Sequence, residues 1–202
     1  MTSNNLSRTS DINWEAEPDV DRVRHALSML KIDRRAAVSE LEELADKGSV
    51  ASMLYLGWSY SAIAGGIDNA TLAEAWLRRA AEHGSLLARF YLGSIYRKAG
   101  QLKAAVAEYT LCVAGEYMPA LYRLGVMYYR GEGVIKDVDM ARELWVRAAS
   151  GGHIYARRNL ALMLMSGRSG IKRIPDGIRA WLGATLDFFV AIRTVPKSDL
   201  LR

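Results

Sequence analysis

The sequence is poor in the residues and segments that mark secreted and membrane-spanning proteins. Its 202 residues include one cysteine, Cys112, and four prolines. Secreted domains that depend on disulfides need cysteines in pairs, so this class of protein is excluded. The first residues do not form a basic segment followed by an apolar one, which is the pattern of a secretory signal. We therefore expect a cytoplasmic protein.

Long apolar runs and polar low-complexity tracts are also missing. The densest apolar run near a terminus, residues 180–192, is 13 residues long and contains Asp187, so it is too short to span a bilayer. Half of the residues are hydrophobic, and the middle of the chain can therefore bury a continuous core. Disorder is predicted only at the ends, in an N-terminal tail over residues 1–17 and a C-terminal tail over residues 193–202.

The net charge of +5 is distributed unevenly along the chain. Residues 1–20 carry one basic and four acidic side chains, whereas residues 151–202 carry nine basic and three acidic ones, a net charge of +6. Two interpretations of this basic end stay open: a solvated end of the fold, or contact with an acidic partner or an anionic membrane surface. Specific nucleic-acid binding is not expected, because the basic residues do not recur once per repeat.

A Leu-Gly pair recurs at a nearly regular interval. A small residue lies four positions before each leucine, and a tyrosine lies four positions after the first three. These offsets place the three residues on one stripe of a helix, which we expect to be its packing face. The pairs are separated by 36, 32 and 36 residues, at Leu56-Gly57, Leu92-Gly93, Leu124-Gly125 and Leu160-Ala161.

Local signals mark where the helices begin and end. Thr71-Leu-Ala-Glu74 has the pattern of a capping box, and Pro119 suits the first turn of a helix. Each second helix ends in small residues followed by a glycine, which can adopt the left-handed conformation that stops a helix. These glycines are Gly48, Gly84, Gly115 and Gly151.

The best-formed copy covers residues 120–152, where a first helix, the turn Gly131-Glu-Gly133-Val134 and a second helix with Trp145 follow in order. This pattern resembles the Sel1-like repeat, a relative of the tetratricopeptide repeat, and the resemblance extends over residues 33–190. It implies an all-α fold, a right-handed α-solenoid of about five antiparallel helix pairs. The expected parts of the solenoid at 18–192 are an atypical cap pair at 18–48 and repeats at 49–84, 85–115, 116–152 and 153–192.

The resemblance also implies a non-enzymatic scaffold or adaptor that binds a partner protein or peptide in a concave groove lined by the first helices. Four positions around each leucine lie away from the packing stripe by helical geometry. One is two residues before the leucine, and the others are two, five and six residues after it. Aromatic and arginine side chains there suit an interface. Trp58, Phe90 and Tyr122 are equally compatible with the core. The predicted groove residues are Leu54, Trp58, Phe90, Arg97, Lys98, Tyr122, Val126, Tyr129, Arg130 and Arg158.

The alternative function is a peripheral membrane or cell-envelope assembly component, docked through the basic, apolar C-terminal region. A homo-oligomer formed through the C-terminal helix pair is also compatible with the sequence. We expect no enzymatic activity, cofactor or metal site, because no catalytic constellation or metal-spaced cluster is present and the three histidines are isolated. The glycine-rich turn lacks the preceding strand that a phosphate-binding loop requires.

Overall fold

The computed structural model describes residues 12–61, 69–165 and 182–183. Within them a 3-10 turn at Trp14–Ala16 is followed by nine α-helices, and no strand occurs in these ranges. The helices are α1 (Val20–Met29), α2 (Arg34–Asp46), α3 (Val50–Tyr60), α4 (Ala70–Glu82), α5 (Leu86–Lys98), α6 (Leu102–Ala114), α7 (Met118–Arg130), α8 (Val138–Ser150) and α9 (Ile154–Met165). The chain divides into an N-terminal unit that ends at Glu108 and a C-terminal unit that starts at Tyr109.

In the N-terminal unit the helices pack in chain order, α1 on α2, α2 on α3, α3 on α4 and α4 on α5. Each helix follows a polar residue whose side chain accepts a backbone N–H of the first turn, which has no partner within the helix. These caps are Asp19, Asp33, Ser49, Asn69 and Ser85. The helix starts are thus set locally, and the apolar stripes set the packing.

One predicted cap is wrong. Helix α4 begins at Ala70, and its cap is Asn69, whose side-chain oxygen accepts the N–H of Leu72 at 3.2 Å. Thr71 already lies inside the helix and is exposed. Asparagine is at least as good a cap as threonine, so the earlier residue prevails. The prediction for Pro119 is confirmed, since it lies in the first turn of α7.

In the C-terminal unit α7 packs on α8 and α8 packs on α9. Helix α7 ends at Arg130 and is capped by Gly131, which has a φ of 75°, and the link continues through Gly133 with a φ of 74°. Asp137 then starts α8 by accepting the N–H groups of Asp139 and Met140. The N–H of Asp137 donates to the carbonyl of Tyr128 at 3.0 Å and closes the link. The glycine-rich turn is therefore a connection between two helices.

The glycine of the Leu-Gly pair allows the second helix of the same repeat to come close. A Cβ at Gly57 would lie 2.6 Å from Cγ of Leu77, and one at Gly125 would lie 2.5 Å from Nε1 of Trp145. Both distances are shorter than a van der Waals contact, so an alanine would force the helices or side chains to move. The predicted packing stripe is confirmed by its small residues, which are fully buried: Ser52, Ala88, Ala120 and Ala156.

The turns between repeats contain a left-handed residue, but not always the predicted glycine. Gly48 and Gly84 have φ values of 94° and 85°, as expected. For Gly115 and Gly151 the prediction is wrong, because the left-handed residues of those turns are Glu116, with a φ of 53°, and Gly152, with a φ of 88°. A side chain in this conformation costs roughly 1 kcal/mol. Glu116 forms an ion pair with Arg147.

Arginine side chains bind the last carbonyl groups of three second helices. These carbonyls occupy equivalent positions of the repeat, one residue after a buried position near the helix end. Each carbonyl also accepts the N–H three residues on, from Gly48, Gly84 or Glu116, and a positive charge at a helix C-terminus is favourable. The contacts join neighbouring helix pairs within each unit. They are Arg79 with Ala45, Arg89 with Ala81 and Arg147 with Val113, each at 3.4 Å.

Residues 12–17 are packed, although the sequence predicts a tail over residues 1–17. Ile12 is buried, and the guanidinium of Arg24 lies 5.7 Å from the ring centre of Trp14. Glu17 binds the start of α3: Oε1 accepts the N–H of Ala51 at 2.8 Å, and Oε2 accepts the hydroxyl of Ser49 at 2.6 Å. The tail therefore does not include residues 12–17, which are held by contacts with the first two helix pairs.

Several predictions fall outside the described residues. Residues 1–11, 62–68, 166–181 and 184–202 are not among them. They contain most of the tail predicted at 1–17, the second helix expected in the repeat at 153–192, the tail at 193–202 and the basic C-terminal region. The predicted homo-oligomer contact of the C-terminal helix pair also falls there.

Candidate partner-binding surface

The predicted groove residues of the N-terminal unit differ in exposure. Leu54 is 4% exposed and belongs to the core, so it does not reach a partner. Trp58 and Phe90 are half-buried. Arg97 and Lys98 are exposed at the end of α5, and neither pairs with an acidic side chain in the part of the chain that the structure describes. The accessible candidates of this unit are thus two aromatic and two basic side chains.

In the C-terminal unit the predicted residues lie on α7 and α9. Tyr122, Val126 and Tyr129 are half-buried, while Arg130 and Arg158 are exposed. Arg130 pairs with Glu132 at 3.3 Å across an exposed surface. The apolar members therefore lie at the border between the core and the solvent. The ring of Tyr122 is packed and still partly exposed, so it belongs in part to the core, and its place in a groove stays a prediction.

Tyr122 contacts the start of the next repeat. Its ring stacks on the imidazole of His153, with centres 4.6 Å apart and an interplanar angle of 23°. The ring of Tyr155 lies 6.0 Å from both of these rings. Nδ1 of His153 accepts the N–H of Ala156 at 3.3 Å, so the histidine caps α9. Burial, together with the charge of Arg123, lowers the pKa of His153 to about 4. The imidazole is therefore neutral at physiological pH, as its role as an acceptor requires.

Tyr129 contacts the second helix of its own repeat. Its ring lies 5.4 Å from that of Trp145 at an angle of 39°. Trp145 is 2% exposed, and its indole N–H donates to the carbonyl of Tyr122 at 3.2 Å. The glycine-rich link places Nζ of Lys136 at 6.0 Å from the ring centre of Tyr129. The buried Trp145 therefore connects two partly exposed tyrosines of α7.

We call these five rings the aromatic row. Tyr155, His153 and Tyr122 contact one another, and Trp145 contacts Tyr129. The hydrogen bond from the indole of Trp145 to the backbone carbonyl of Tyr122 joins the two groups. The sequence predicted Tyr122 and Tyr129 as surface residues and missed the others as parts of the site. It also missed Arg123, whose guanidinium lies 5.9 Å from the Tyr122 ring, and Lys136. The offsets from the Leu-Gly pair cover only first helices. His153 and Lys136 come from turns, and no periodic signal marks them.

A polar cluster in the N-terminal unit lies at the tyrosine of another repeat. The hydroxyl of Tyr96 donates to Glu74 at 2.7 Å and accepts from Arg78 at 2.8 Å. Burial and the bond to Glu74 raise the pKa of Tyr96 to about 12, and the bond from Tyr96 holds the pKa of Glu74 below its usual range. Arg78 also pairs with Glu74 at 2.8 Å. The cluster joins α4 to α5 and keeps its proton on the phenol.

The other chemical candidates differ in exposure. His25 and His83 are exposed, and Cys112 is buried. Among the residues that the structure describes, no three His, Cys, Asp or Glu side chains lie close enough together to hold a metal ion. Within the same residues, no helix combines the length and apolar character needed to cross a bilayer.

Comparison with known families adds to this picture. Three segments match the model of the Sel1 repeat, at residues 50–85, 119–153 and 154–181. The chain contains three Sel1 repeats. The matched segments correspond to the repeats predicted at 49–84, 116–152 and 153–192. The Sel1 model does not match the copy predicted at 85–115, whose link between helices, residues 99–101, is short. Sel1 repeats generally serve as scaffolds for protein interactions.

Solved structures share the fold at low sequence identity. A protective antigen of uropathogenic Escherichia coli strains with an SLR fold is 20% identical, with a TM-score of 0.73 over 83% of this chain and 38% of the antigen. A Sel1 repeat protein from Oxalobacter formigenes is 24% identical, with a TM-score of 0.69 over 84% of this chain and 71% of its own. MamA is 24% identical, with a TM-score of 0.57 over 78% of this chain and 91% of MamA. These similarities establish the all-α solenoid fold of paired helices. No curated protein matches the sequence.

Proposed function

We propose that this Sel1-repeat protein is a non-enzymatic scaffold or adaptor that binds a segment of a partner protein on α7 and the adjoining turns. The observation that supports the proposal most directly is the aromatic row, in which Tyr122 and Tyr129 remain partly exposed. Their ring contacts hold both side chains in place before a partner arrives. Aromatic side chains that are fixed in advance lose little conformational entropy on binding, so they are effective anchors of an interface.

Val126 lies between the two tyrosines on α7 and is half-buried, so it is central to the proposed surface. Arg130 extends this surface along α7, and Arg158 adds an exposed cation on α9. In the N-terminal unit, Trp58 and Phe90 with Arg97 and Lys98 make a second candidate surface of the same composition. We propose this second surface as an additional contact region for the partner.

A photo-crosslinking amino acid in place of Val126 tests the partner-binding function. The full chain, expressed in its native cell, should give a discrete adduct after illumination, and mass spectrometry should identify one protein in it. The same amino acid in place of Arg35, an exposed residue of α2, is the control position. The double variant Tyr129→Ala and Arg130→Ala should lose the adduct while keeping its helical circular dichroism. Equal adducts from both positions, or none from Val126, would refute the proposed surface.

The alternative, docking on a membrane or in cell-envelope assembly, is supported by the charge of +6 over residues 151–202 and by Leu182, which is 56% exposed. It predicts sedimentation of the full chain with vesicles that contain anionic lipid, and not with neutral vesicles. The charge reversals Lys172→Glu and Arg173→Glu should release the protein. If the unmodified chain stays in the supernatant, the membrane function is excluded.

A further inference from the structure

We infer that the partner segment is acidic and carries an apolar anchor, and that it docks along the aromatic row between Arg123 and Lys136. The inference rests on the proposed scaffold function and names the chemistry of the partner. It follows from the way in which charge and aromatic surface coincide within the C-terminal unit.

The basic side chains of α7, of its link to α8 and of α8 fall into two groups. In the first group each cation pairs with a carboxylate. Arg142 pairs with Asp139 at 2.8 Å, and Arg130 and Arg147 are the other members of this group. Arg123 and Lys136, which lie at the aromatic row, have no carboxylate partner among the described residues. Both are exposed. The unneutralised charges of α7 and its link therefore lie where the tyrosines are accessible.

The contacts of these two cations with the rings leave their charges largely available. Arg123 lies 5.9 Å from the ring centre of Tyr122, and Lys136 lies 6.0 Å from that of Tyr129. These separations are at the outer limit of about 6 Å for a cation–π interaction, where exposed pairs contribute little. A carboxylate placed beside either cation would form a stronger, charge-assisted contact. An acidic ligand is therefore favoured at both ends of the row.

The spacing of the two ends defines the partner further. Tyr122 and Tyr129 are seven residues apart on one helix, which is about 10 Å along its axis. Two carboxylates about 10 Å apart are separated by about three residues in an extended peptide or by about seven in a helix. An apolar side chain between them would lie over Val126. The expected motif is therefore acidic, apolar, acidic, with one of these two spacings.

Nucleic acid fits this surface less well than a peptide. The described residues 109–165 carry seven basic and five acidic side chains, a net charge of only +2. A phosphate backbone needs a succession of cations along its path, which two isolated charges do not supply. Base stacking needs an open ring face, and Tyr122 and Tyr129 already contact His153 and Trp145. A short peptide with two carboxylates matches both the charge and the exposed area.

A displayed library of random 12-residue peptides, selected on the full chain, tests the inference. The selected peptides should be enriched in Asp and Glu at one of the two spacings, with Leu or Phe between them. The tightest peptide is then synthesised with a fluorophore, and its dissociation constant is measured by anisotropy. A fluorescent oligo-dT of 12 nucleotides should bind much more weakly. An unenriched selection, or oligo-dT that binds as tightly as the peptide, would overturn the inference.

Matched variants separate charge recognition from effects on the fold. Arg123→Gln and Lys136→Gln should each weaken peptide binding about two- to fivefold, as expected for exposed charge pairs. Arg142→Gln makes the same change of charge away from the row and should leave binding unchanged. Both variants remove the apolar contact at Val126, but Val126→Glu should abolish binding by repulsion, whereas Val126→Lys, of similar bulk, should weaken it much less. Equal losses for the two Val126 variants would contradict an acidic partner.

The proposed function and this inference can fail separately. If the selected peptides are neutral and bind regardless of Arg123 and Lys136, yet crosslinking from Val126 still captures one protein, the scaffold function stands and the acidic partner is rejected. If peptides are not enriched and crosslinking also fails, both are rejected. Raising the salt concentration from 0.1 M to 1 M should strongly weaken the binding of the acidic peptide, since the electrostatic screening length falls from about 10 Å to about 3 Å.

Discussion

Replacing Gly125 with alanine tests whether the Leu-Gly pair governs the approach of α7 and α8. The new Cβ would lie 2.5 Å from Nε1 and 2.7 Å from Cδ1 of Trp145, and 3.3 Å from the carbonyl oxygen of Ala141. Trp145 is 2% exposed and cannot move freely. Either the two helices separate, or the indole rotates and loses its hydrogen bond to the carbonyl of Tyr122, which is 3.2 Å long.

Opposing terms set the size of the effect. Alanine stabilises a helix interior by about 1 kcal/mol relative to glycine. Overpacking a core typically costs about 1–3 kcal/mol, and a lost hydrogen bond about 0.5–1.5 kcal/mol. The net result is a loss of about 2 kcal/mol, which for a chain of this size corresponds to a melting temperature lower by about 4–8 °C. The steric term therefore outweighs the gain in helix propensity.

Thermal unfolding followed by circular dichroism at 222 nm measures this loss. Gly151→Ala is the matched control, because its Cβ would meet the flexible end of the Met118 side chain, which can rotate away. In a Trp145→Ala background the ring atoms that clash with the new Cβ are absent, so Gly125→Ala should be much less destabilising there. A melting temperature for Gly125→Ala equal to or above that of Gly151→Ala would refute the role of the close approach.

Three further predictions concern single contacts. The pKa of Tyr96 is raised to about 12 from 10.0. The neutral phenol therefore stabilises the native state below pH 10, and this stabilisation is lost between pH 10 and 12. Unfolding curves measured over this alkaline range should show the loss in the unmodified protein and not in Tyr96→Phe. The pKa of His153 is lowered to about 4 from 6.5, so its contribution to stability is full above pH 6.5 and is lost as the pH falls to 4. His153→Ser should keep the helix cap and flatten the curve of stability against pH in that range. An unchanged curve would contradict the assignment. Glu17→Ala should destabilise the start of α3 by about 1 kcal/mol and speed hydrogen exchange at the N–H of Ala51, whereas Glu15→Ala should not.

The helical fold was predictable because its determinants are local and repeated. The offsets between a small residue, a leucine and a glycine place the packing stripe on each first helix, as at Ala120, Leu124 and Gly125, and all three are buried. The predictions were wrong where two neighbouring residues can both cap a helix, or where adjacent residues can both adopt the left-handed conformation of a turn. Asn69 displaced Thr71 as a cap, and Glu116 took the left-handed conformation instead of the adjacent Gly115. Such choices depend on energy differences of about 1 kcal/mol.

The candidate surface was predictable only in part. Helical geometry identified Tyr122 and Tyr129, because both follow from their offsets to Leu124. It also included Leu54, which is buried, since the offsets do not report how closely neighbouring helices pack. The partners of the tyrosines, above all His153 and Lys136, come from turns that are distant in sequence.

By itself the sequence determined the repeat, its helix pairs and the stripes that pack, because these depend on periodicity and on residues close together in the chain. Only the tertiary structure decided that Glu17 holds the start of α3, that Trp145 fills the space left by Gly125, and which cations lack carboxylate partners. These features depend on distances between segments that are remote in sequence. Local propensity carries no record of those distances, because they arise only when the helices have packed.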